Sequence, residues 1–294
     1  MTPRVFLELG RVSNLPTVWS NVLAGAIVSG GGPGGATLAV AFAGSLFYTG
    51  GMFLNDAFDA EIDARERPER PIPSGRISRA SVTMTGFGLL FAGLAVLAVL
   101  TLAGQSPSGT RMLFAGLFTA CAVIVYDLWH KGRPLSPVIM GLCRAGLYAM
   151  AGLAVSPTLP APTVETAVAV LAYVVGLTHI ARFETGSVVA RTWPTLFVLA
   201  PALLCLFRMR ELSGAALAIA FVAFLPALVW TVRALRIALR GGPDRIPRAV
   251  VSLIAGLSLS DAAFTAGRGE LVASAACFAC FGLTLSSQRR IRGT

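Results

Sequence analysis

The chain has 294 residues, of which 55% are hydrophobic and only 13% are charged, and its formal net charge is +10. A soluble domain carries about a quarter charged residues, so this composition excludes an ordinary soluble globule and predicts a protein that crosses a membrane several times. Lys131 is the only lysine among the 24 basic residues. Arginines that flank apolar segments are typical of topology signals and lipid headgroup contacts, and we expect no nucleic-acid partner.

The apolar segments predict an all-α transmembrane bundle of nine to ten spans, which forms a single domain over residues 1–294. Prolines and glycines mark the connections, and the first thirty residues lack the pattern of a cleavable signal. In the nine-span alternative the last two segments are one span and a partial one. The predicted spans are 15–31, 36–56, 79–103, 110–126, 136–155, 163–180, 192–207, 213–239, 247–266 and 269–286.

The second predicted span runs into FLNDAFDAEIDARERPERPIPSG, residues 53–75, which hold six of the fourteen acidic residues. Asp56, Asp59 and Asp63 are spaced i, i+3 and i+7, so we expect them on one side of a helix, beside the Asn55 amide. Stacked carboxylates near a membrane repel one another and lose hydration, so the pattern favours a cation site, and Mg²⁺ takes such hard oxygen ligands. The alternative is a solvated loop whose charges pair with one another.

Basic residues follow the carboxylates directly. Arg65, Arg67 and Arg70 come next, and the turn Arg70-Pro71-Ile72-Pro73-Ser74-Gly75 is stiff enough to hold the Arg70 guanidinium in place. Carboxylates for a metal beside arginines for phosphate oxygens suit a diphosphate ligand.

The segment NDAFDAEIDARERPERPIPSGRIS resembles the first motif of the UbiA superfamily of intramembrane prenyltransferases, NDxxDxxxD followed by RPxxxG. The resemblance implies a helical bundle around a central cavity, in which Mg²⁺ ions hold a polyprenyl diphosphate whose allylic C–O bond ionises. An acceptor molecule, often an aromatic ring, then captures the cation, and membrane lipids surround the protein. The residues that match the motif are Asn55, Asp56, Asp59, Asp63, Arg70, Pro71 and Gly75.

The family's second acidic motif is altered here to Leu177-Thr-His179-Ile-Ala-Arg182-Phe-Glu184-Thr-Gly186. The resemblance implies that Glu184 reaches a second metal or that Arg182 contacts phosphate in its place, with His179 near the substrate. A salt bridge between Arg182 and Glu184 is the alternative. The departure leaves the usual two-metal mechanism and the usual diphosphate donor open.

The fourth predicted span is followed by Tyr126-Asp127-Leu-Trp-His130-Lys131. Because the family places a Tyr and a Lys here, the resemblance implies that Lys131 contacts the diphosphate and that Tyr126 and Asp127 belong to the substrate site. Membrane topology alone is the other explanation for a basic residue at this position.

Four polar side chains lie within the predicted spans or directly beside them. Arg144 is about eight residues into the fifth span and must face the bundle interior, where it needs an anion or water. Asn14 and Asn21 are seven residues apart, and we expect them on one helix face, where they shape an acceptor pocket with Arg144. Contacts with a neighbouring helix are the alternative. Asp261 is a lone acid in the ninth segment, either structural or bound to an acceptor headgroup.

The distribution of Lys and Arg among the loops predicts that the N-terminus and the site loops face the cytoplasm of a bacterial membrane. The expected function is Mg²⁺-dependent transfer of a prenyl group from a polyprenyl diphosphate to a small acceptor such as an aromatic ring. One alternative is phosphoribosyl-type transfer to a polyprenyl phosphate. Another, from a less specific resemblance to the EboC-like branch, is a non-catalytic protein that binds or transports a prenyl lipid or small molecule.

Overall fold

The computed structural model describes residues 2–183, 189, 192–242 and 244–291. All regular secondary structure in these ranges is helical, which confirms the predicted fold class. Helices lie at all ten predicted spans, and two short helices, α1 and α4, were not predicted. The helices are α1 Pro3–Leu9, α2 Leu15–Val28, α3 Gly35–Phe58, α4 Ala60–Glu66, α5 Arg79–Leu102, α6 Thr110–Trp129, α7 Ser136–Val155, α8 Ala161–Ala181, α9 Ala200–Met209, α10 Gly214–Leu239, α11 Arg245–Ala266 and α12 Leu271–Gln288.

Eight of the described helices are long and apolar enough to cross a bilayer: α3, α5 to α8 and α10 to α12. Two of the ten predicted spans are shorter. Helix α2 has 14 residues, and the stretch Trp193–Met209 begins as a 3-10 turn before it becomes α9. A helix needs about 20 residues to span the hydrocarbon core unaided, so the chain has eight full-length spans in its described part and two shorter segments packed among them.

Local sequence chemistry sets several helix starts. The Ser78 hydroxyl accepts a hydrogen bond from the Ser81 amide at 3.2 Å and so caps α5. Proline occupies the first turn of α7 and α8, where its missing N–H has no helical partner to lose. These signals are local, and they explain why the predicted boundaries lie within a few residues of the observed ones.

Helix α11 occupies the centre of the bundle, since 83% of its most apolar 18-residue stretch is buried. It packs against α10 and α12 and also against α2 and α8. Helix α2 contacts α3, α7, α11 and α12, so it joins one hydrophobic cluster built around α3, α5 and α6 to another built around α8, α10 and α11. A cavity lies between these two clusters.

The outer surfaces of the spanning helices carry large apolar side chains. Phe91 and Val272, for example, are 75% and 81% exposed. Exposed apolar side chains on this scale suit contact with lipid and not with water. The protein is therefore an integral membrane protein.

Candidate functional site

The acidic motif spans the junction between two helices. Helix α3 ends at Phe58, Asp59 joins it to α4, and α4 begins at Ala60. Asp56, Asp59 and Asp63 therefore do not share one continuous helix as predicted, because the chain leaves the α3 axis at Asp59. All three are buried, with 5–7% of their surface exposed. Their charges pair with basic residues, as the alternative to a cation site predicted. The pairs lie in the protein interior, however, and not in a solvated loop.

One arginine holds two of the aspartates. The Arg70 Nη1 atom lies 2.8 Å from Asp63 Oδ2 and 3.3 Å from Asp56 Oδ1. The turn that follows is compact, with the Ser74 hydroxyl donating to the Arg70 carbonyl at 2.6 Å. Three of the residues that match the family motif are thus brought together, with the guanidinium between two carboxylates.

A second arginine reaches the same carboxylate from the N-terminal segment. Arg11 Nη2 lies 3.2 Å from Asp56 Oδ1 and 3.5 Å from Asn55 Oδ1. The Arg11 backbone has a φ of 42°, in the left-handed region that costs an L-residue about 1–2 kcal/mol. Arg11 was not among the predicted site residues. Its place one turn before Asn14 was a sequence signal, but neither its left-handed backbone nor its contact with Asp56 is visible in the sequence.

Asp59 faces the segment that follows α6. Its Oδ2 atom lies 3.2 Å from Lys131 Nζ and 3.4 Å from His130 Nε2, and the His130 ring stacks on Tyr126 at 4.9 Å. Burial raises the pKa of the Asp59 carboxyl, but the hydrogen bonds and charges of His130 and Lys131 outweigh it and hold that pKa below its usual value. The predicted residues Tyr126 and Lys131 thus belong to the same site as the aspartates.

Asp127 adds a fourth buried carboxylate, with 4% of its surface exposed. The Asn55 amide donates to Asp127 Oδ1 at 3.3 Å, whereas Asp127 Oδ2 is buried without a hydrogen-bond partner. A buried carboxylate oxygen without a donor is costly, so Asp127 is the point in the site that most needs a cation or a donor from a ligand.

The oxygen atoms of this site suit a hard divalent cation. Aspartate and amide oxygens are the ligands that Mg²⁺ prefers, and the unpartnered Asp127 oxygen lies beside Asn55. Within the described ranges, no three His, Cys, Asp or Glu side chains converge on a single metal position. The aspartates are turned toward Arg11, Arg70 and Lys131 instead, so a metal would share them with, or displace, these basic partners.

A cavity of about 250 Å³ opens beside the carboxylates. Its polar end includes Arg11, Arg67, Arg70, Tyr126 and Asp127. Its body is mostly apolar, which suits a hydrocarbon chain. The apolar lining includes Phe47, Met52, Val123, Leu147, Leu177 and Ile254.

Arg144 and Asn14 line the same cavity. Arg144 donates to Asn21, and Asn14 Nδ2 donates to Tyr48 Oη at 3.2 Å. Asn14 precedes α2 in a 3-10 turn, so it does not share one helix face with Asn21 as predicted. Tyr48 was missed. It lies seven residues before Asn55 on α3, a spacing that places both on one face of that helix.

The altered second motif contributes Leu177, Thr178 and Ala181 to the cavity lining, but not its charged Arg182 or His179. Arg182 is exposed, donates to the Ser136 hydroxyl at 2.7 Å and also donates to the Arg133 carbonyl. The His179 ring contacts the Phe183 ring edge-on at 5.4 Å. Glu184 lies outside the described residues, so its predicted metal role and its pairing with Arg182 stay predictions.

The family comparison covers most of the chain. The model of the UbiA prenyltransferase family matches residues 15–254. The chain is also similar to the digeranylgeranylglyceryl phosphate synthase of Methanopyrus kandleri, with 34% identity over 163 residues that cover 55% of this chain and 56% of the relative. The enzyme of the same name from Methanothrix thermoacetophila is 33% identical over 155 residues, which cover 52% and 55%. The chain thus spans about half the length of these curated relatives.

A solved structure shares the fold. It is described as "Structural and mechanistic insights into the biosynthesis of Digeranylgeranylglyceryl phosphate synthase in membranes", and it aligns with 90% of this chain and 97% of its own, with a TM-score of 0.62. Its sequence identity of 20% supports the fold alone. The match of the family model, which covers the acidic motif and most of the spanning helices, confirms the family that the motif predicted. The chain belongs to the UbiA prenyltransferase family.

Proposed function

We propose that the protein is an Mg²⁺-dependent intramembrane prenyltransferase that joins the prenyl group of a polyprenyl diphosphate to a glyceryl phosphate acceptor. The observation that carries the proposal is the cavity, whose body is apolar and whose polar end combines three arginines with the buried Asp127 carboxylate; two of these arginines, Arg11 and Arg70, also hold Asp56. A diphosphate with a long hydrocarbon chain has the same division between a charged head and an apolar tail.

The basic residues at the polar end and beside Asp59 suit the diphosphate. Arg70 and Arg11 are held near Asp56, and Lys131 is held near Asp59. Guanidinium groups form charge-assisted hydrogen bonds to phosphate oxygens, often two at a time. When the allylic C–O bond breaks, the diphosphate leaves with the electron pair, and these cations stabilise the charge that it gains.

Magnesium would be held by Asn55, Asp56, Asp59 and Asp63, and the neighbouring Asp127, which accepts a hydrogen bond from Asn55, carries an unpartnered oxygen that a cation would satisfy. When bound, Mg²⁺ neutralises charge on the departing diphosphate. Each aspartate that releases a basic side chain toward the phosphate becomes available as an oxygen ligand. The pairs between Arg70 and its two aspartates therefore keep both partners in place until the substrate arrives.

The apolar body of the cavity protects the reaction from water. Phe47, Met52 and Leu147 line it, and they leave an allylic cation few competing nucleophiles. The acceptor oxygen then forms a bond to the allylic carbon and loses its proton. A hydroxyl on a glyceryl phosphate can supply that oxygen.

The choice of acceptor follows the relatives and not the sequence-based expectation of an aromatic ring. Their name, digeranylgeranylglyceryl phosphate synthase, describes a glyceryl phosphate that carries two geranylgeranyl groups. We therefore propose geranylgeranyl diphosphate as the donor and geranylgeranylglyceryl phosphate as the acceptor for the first assay.

The test uses the full chain in detergent or nanodiscs with Mg²⁺, labelled geranylgeranyl diphosphate and geranylgeranylglyceryl phosphate. We expect a doubly prenylated glyceryl phosphate by mass spectrometry and one pyrophosphate released per product. Asp59→Asn should abolish both signals. Glu61→Gln is the matched control because Glu61 is an acidic residue on neighbouring α4 whose side chain is 81% exposed.

Other outcomes identify the alternatives. Transfer to an aromatic acceptor with no transfer to the glyceryl phosphate would overturn the proposed acceptor. A polyprenyl phosphate consumed together with a phosphoribosyl donor would overturn the prenyl transfer. Binding of the diphosphate without pyrophosphate release, with any acceptor class, would indicate the binding or transport protein.

A further inference from the structure

Arg144 is a cation in the middle of a spanning helix, and it lines the cavity. Its Nη1 atom donates to Asn21 Oδ1 at 3.0 Å and its Nη2 atom donates to Thr17 Oγ1 at 3.0 Å. Its Cζ atom lies 5.9 Å from the centre of the Tyr48 ring. All three contacts are with uncharged groups, and a guanidinium has five N–H donors, so it has donors left for a ligand.

The nearby carboxylate does not touch Arg144. Asp261, which is fully buried, accepts hydrogen bonds from Ser20 at 2.6 Å, from Asn21 Nδ2 at 2.7 Å and from Tyr148. Asn21 therefore lies between the two charges, with its amide nitrogen toward Asp261 and its oxygen toward Arg144. Because both amide ends have a charged partner, the orientation of Asn21 is fixed by the network.

This arrangement orients the guanidinium without neutralising it by direct contact. Among the described residues no carboxylate forms an ion pair with Arg144. A charge inside a membrane bundle is costly unless it pairs with an opposite charge or faces a water-filled or ligand-filled cavity. Arg144 faces a cavity, so an anionic ligand group is the partner that its surroundings lack.

The position separates this group from the carboxylate site. Tyr48, which lies beside Arg144, is eight residues before Asp56 on α3, and eight residues of helix rise about 12 Å. Arg144 thus packs against α3 about two helical turns before Asp56, and its hydrogen bonds go to Asn21 and Thr17 and not to the aspartates of the motif. The two polar centres therefore suit two different anionic groups, with the apolar part of the cavity beside them.

We propose that Arg144 binds the phosphate of the acceptor and so determines the specificity of the enzyme for anionic acceptors, with Asn21 and Asp261 as its positioning residues. The inference deepens the proposed function and rests on it for the identity of the acceptor. Anion binding by Arg144 itself can be measured without turnover.

The experiment compares the wild type with Arg144→Gln in steady-state kinetics with geranylgeranyl diphosphate as donor. Each enzyme is given geranylgeranylglyceryl phosphate or its dephosphorylated form, geranylgeranylglycerol. We expect Arg144→Gln to raise the KM of the phosphate acceptor at least tenfold, to leave the donor KM within twofold, and to leave kcat/KM for the neutral acceptor nearly unchanged. Arg208→Gln is the control, since Arg208 is bound to Thr166 and Glu165 on α8 and does not line the cavity.

Two further variants separate binding from folding. Arg144→Lys keeps the charge but loses the planar fork, and it should reduce the preference for the phosphate acceptor over the alcohol at least threefold. Asp261→Asn removes the carboxylate that orients Asn21, and it should raise the KM of the phosphate acceptor with a smaller effect on kcat. An unchanged acceptor preference in Arg144→Lys would overturn the proposal even if Arg144→Gln failed to fold.

If Arg144→Gln lost equal kcat/KM with the phosphate and neutral acceptors, Arg144 would be structural. If only the donor KM rose, Arg144 would belong to the donor site. Either result overturns the proposal. If the wild type catalyses no transfer, the proposed function fails, and the readout becomes the rise in melting temperature produced by geranylgeranylglyceryl phosphate over geranylgeranylglycerol. Loss of that difference in Arg144→Gln supports the anion subsite, and its persistence refutes it.

Discussion

Arg70 lies 2.8 Å from Asp63, and the same guanidinium nitrogen lies 3.3 Å from Asp56. The side chain of Arg70 is 16% exposed and those of the two aspartates are 9% or less, so this cation neutralises two carboxylates in a largely buried position. It occupies a position where a divalent ion is also electrostatically favourable. Arginine and metal therefore compete for the same oxygen atoms.

This competition predicts how Arg70→Gln responds to magnesium. Removal of one partner from a buried ion pair costs about 3–5 kcal/mol, so the variant should melt at a lower temperature than the wild type in EDTA. Mg²⁺ should then raise its melting temperature by more than it raises that of the wild type, because the aspartates have lost their competing cation. The measurement is a thermal melt of the detergent-solubilised protein with and without Mg²⁺.

Arg76→Gln is the matched control. Arg76 lies in the same loop and pairs with Glu8, but both side chains are more than a third exposed, and such pairs contribute about 0–1 kcal/mol. Its melting temperature should change little and should not depend on Mg²⁺. Equal Mg²⁺ responses of the wild type and Arg70→Gln would show that these aspartates do not bind the ion.

Lys131 should matter for activity far more than for stability. Its side chain is half exposed where it meets Asp59, so Lys131→Gln should lower the unfolding free energy by no more than about 1 kcal/mol. A charged hydrogen bond to the diphosphate is worth about 1.5–3 kcal/mol, so kcat/KM for the donor should fall about tenfold or more. Kinetics and a thermal melt of one preparation check both.

Arg79→Gln is the comparison for Lys131→Gln. Arg79 pairs with the exposed Glu61 at 3.1 Å and does not line the cavity. It should leave both kcat/KM and the melting temperature near the wild-type values. A Lys131→Gln enzyme with unchanged donor kinetics would assign Lys131 to membrane topology alone.

The sequence was sufficient for the helices because their determinants are local. Apolar length, proline and glycine predicted α5 as 79–103, and the helix is Arg79–Leu102. The 3-10 turn at Trp193–Leu199 was missed, and α2 ends at Val28 and not at residue 31, because packing within the bundle and not composition sets these features. Helix α1, with seven residues, is too short to have a periodic signal.

Only part of the site could be predicted, because some of its contacts join residues that are close in the sequence and others do not. The aspartates and Arg70 lie in one short motif, so their chemistry could be inferred from spacing, whereas the role expected of Lys131 came from the family resemblance. The contact between Asn21 and Asp261 joins residues 240 positions apart, and no spacing rule identifies such a pair. The sequence did not decide whether Asp261 is structural or binds an acceptor headgroup. Its hydrogen-bond donors come from α2 and α7, which only the fold brings together.

The hydroxyl of Tyr148 should contribute more to stability than an ordinary buried hydroxyl. It donates to Asp261 and accepts a hydrogen bond from Asn21 Nδ2 at 3.2 Å. Tyr148→Phe leaves a buried carboxylate short of a donor, which costs about 1–3 kcal/mol. Tyr173→Phe is the control, since that buried hydroxyl donates to the neutral Leu253 carbonyl. Thermal melts should place Tyr148→Phe below Tyr173→Phe, and the reverse order would show that Asp261 does not depend on Tyr148.

Close packing between α3 and α5 depends on glycine at position 50. A Cβ atom on Gly50 would lie 2.8 Å from the Gly86 carbonyl oxygen, which belongs to a helix backbone and cannot move aside on its own. Gly50→Ala should therefore separate the two helices and destabilise the protein by about 1–3 kcal/mol. Because α3 also carries Asn55 and Asp56, the same change should lower transferase activity. A thermal melt and the prenyl transfer assay measure the two effects.

Gly88→Ala on α5 is the control for this close approach. A Cβ atom at Gly88 meets nothing within 4 Å, and alanine is favoured over glycine inside a helix by about 1 kcal/mol. This variant should be as stable as the wild type or slightly more stable, with unchanged activity. Equal melting temperatures of Gly50→Ala and Gly88→Ala would show that α3 and α5 are not in such close contact at Gly50 and Gly86. The position of the carboxylates at the end of α3 would then not depend on this contact.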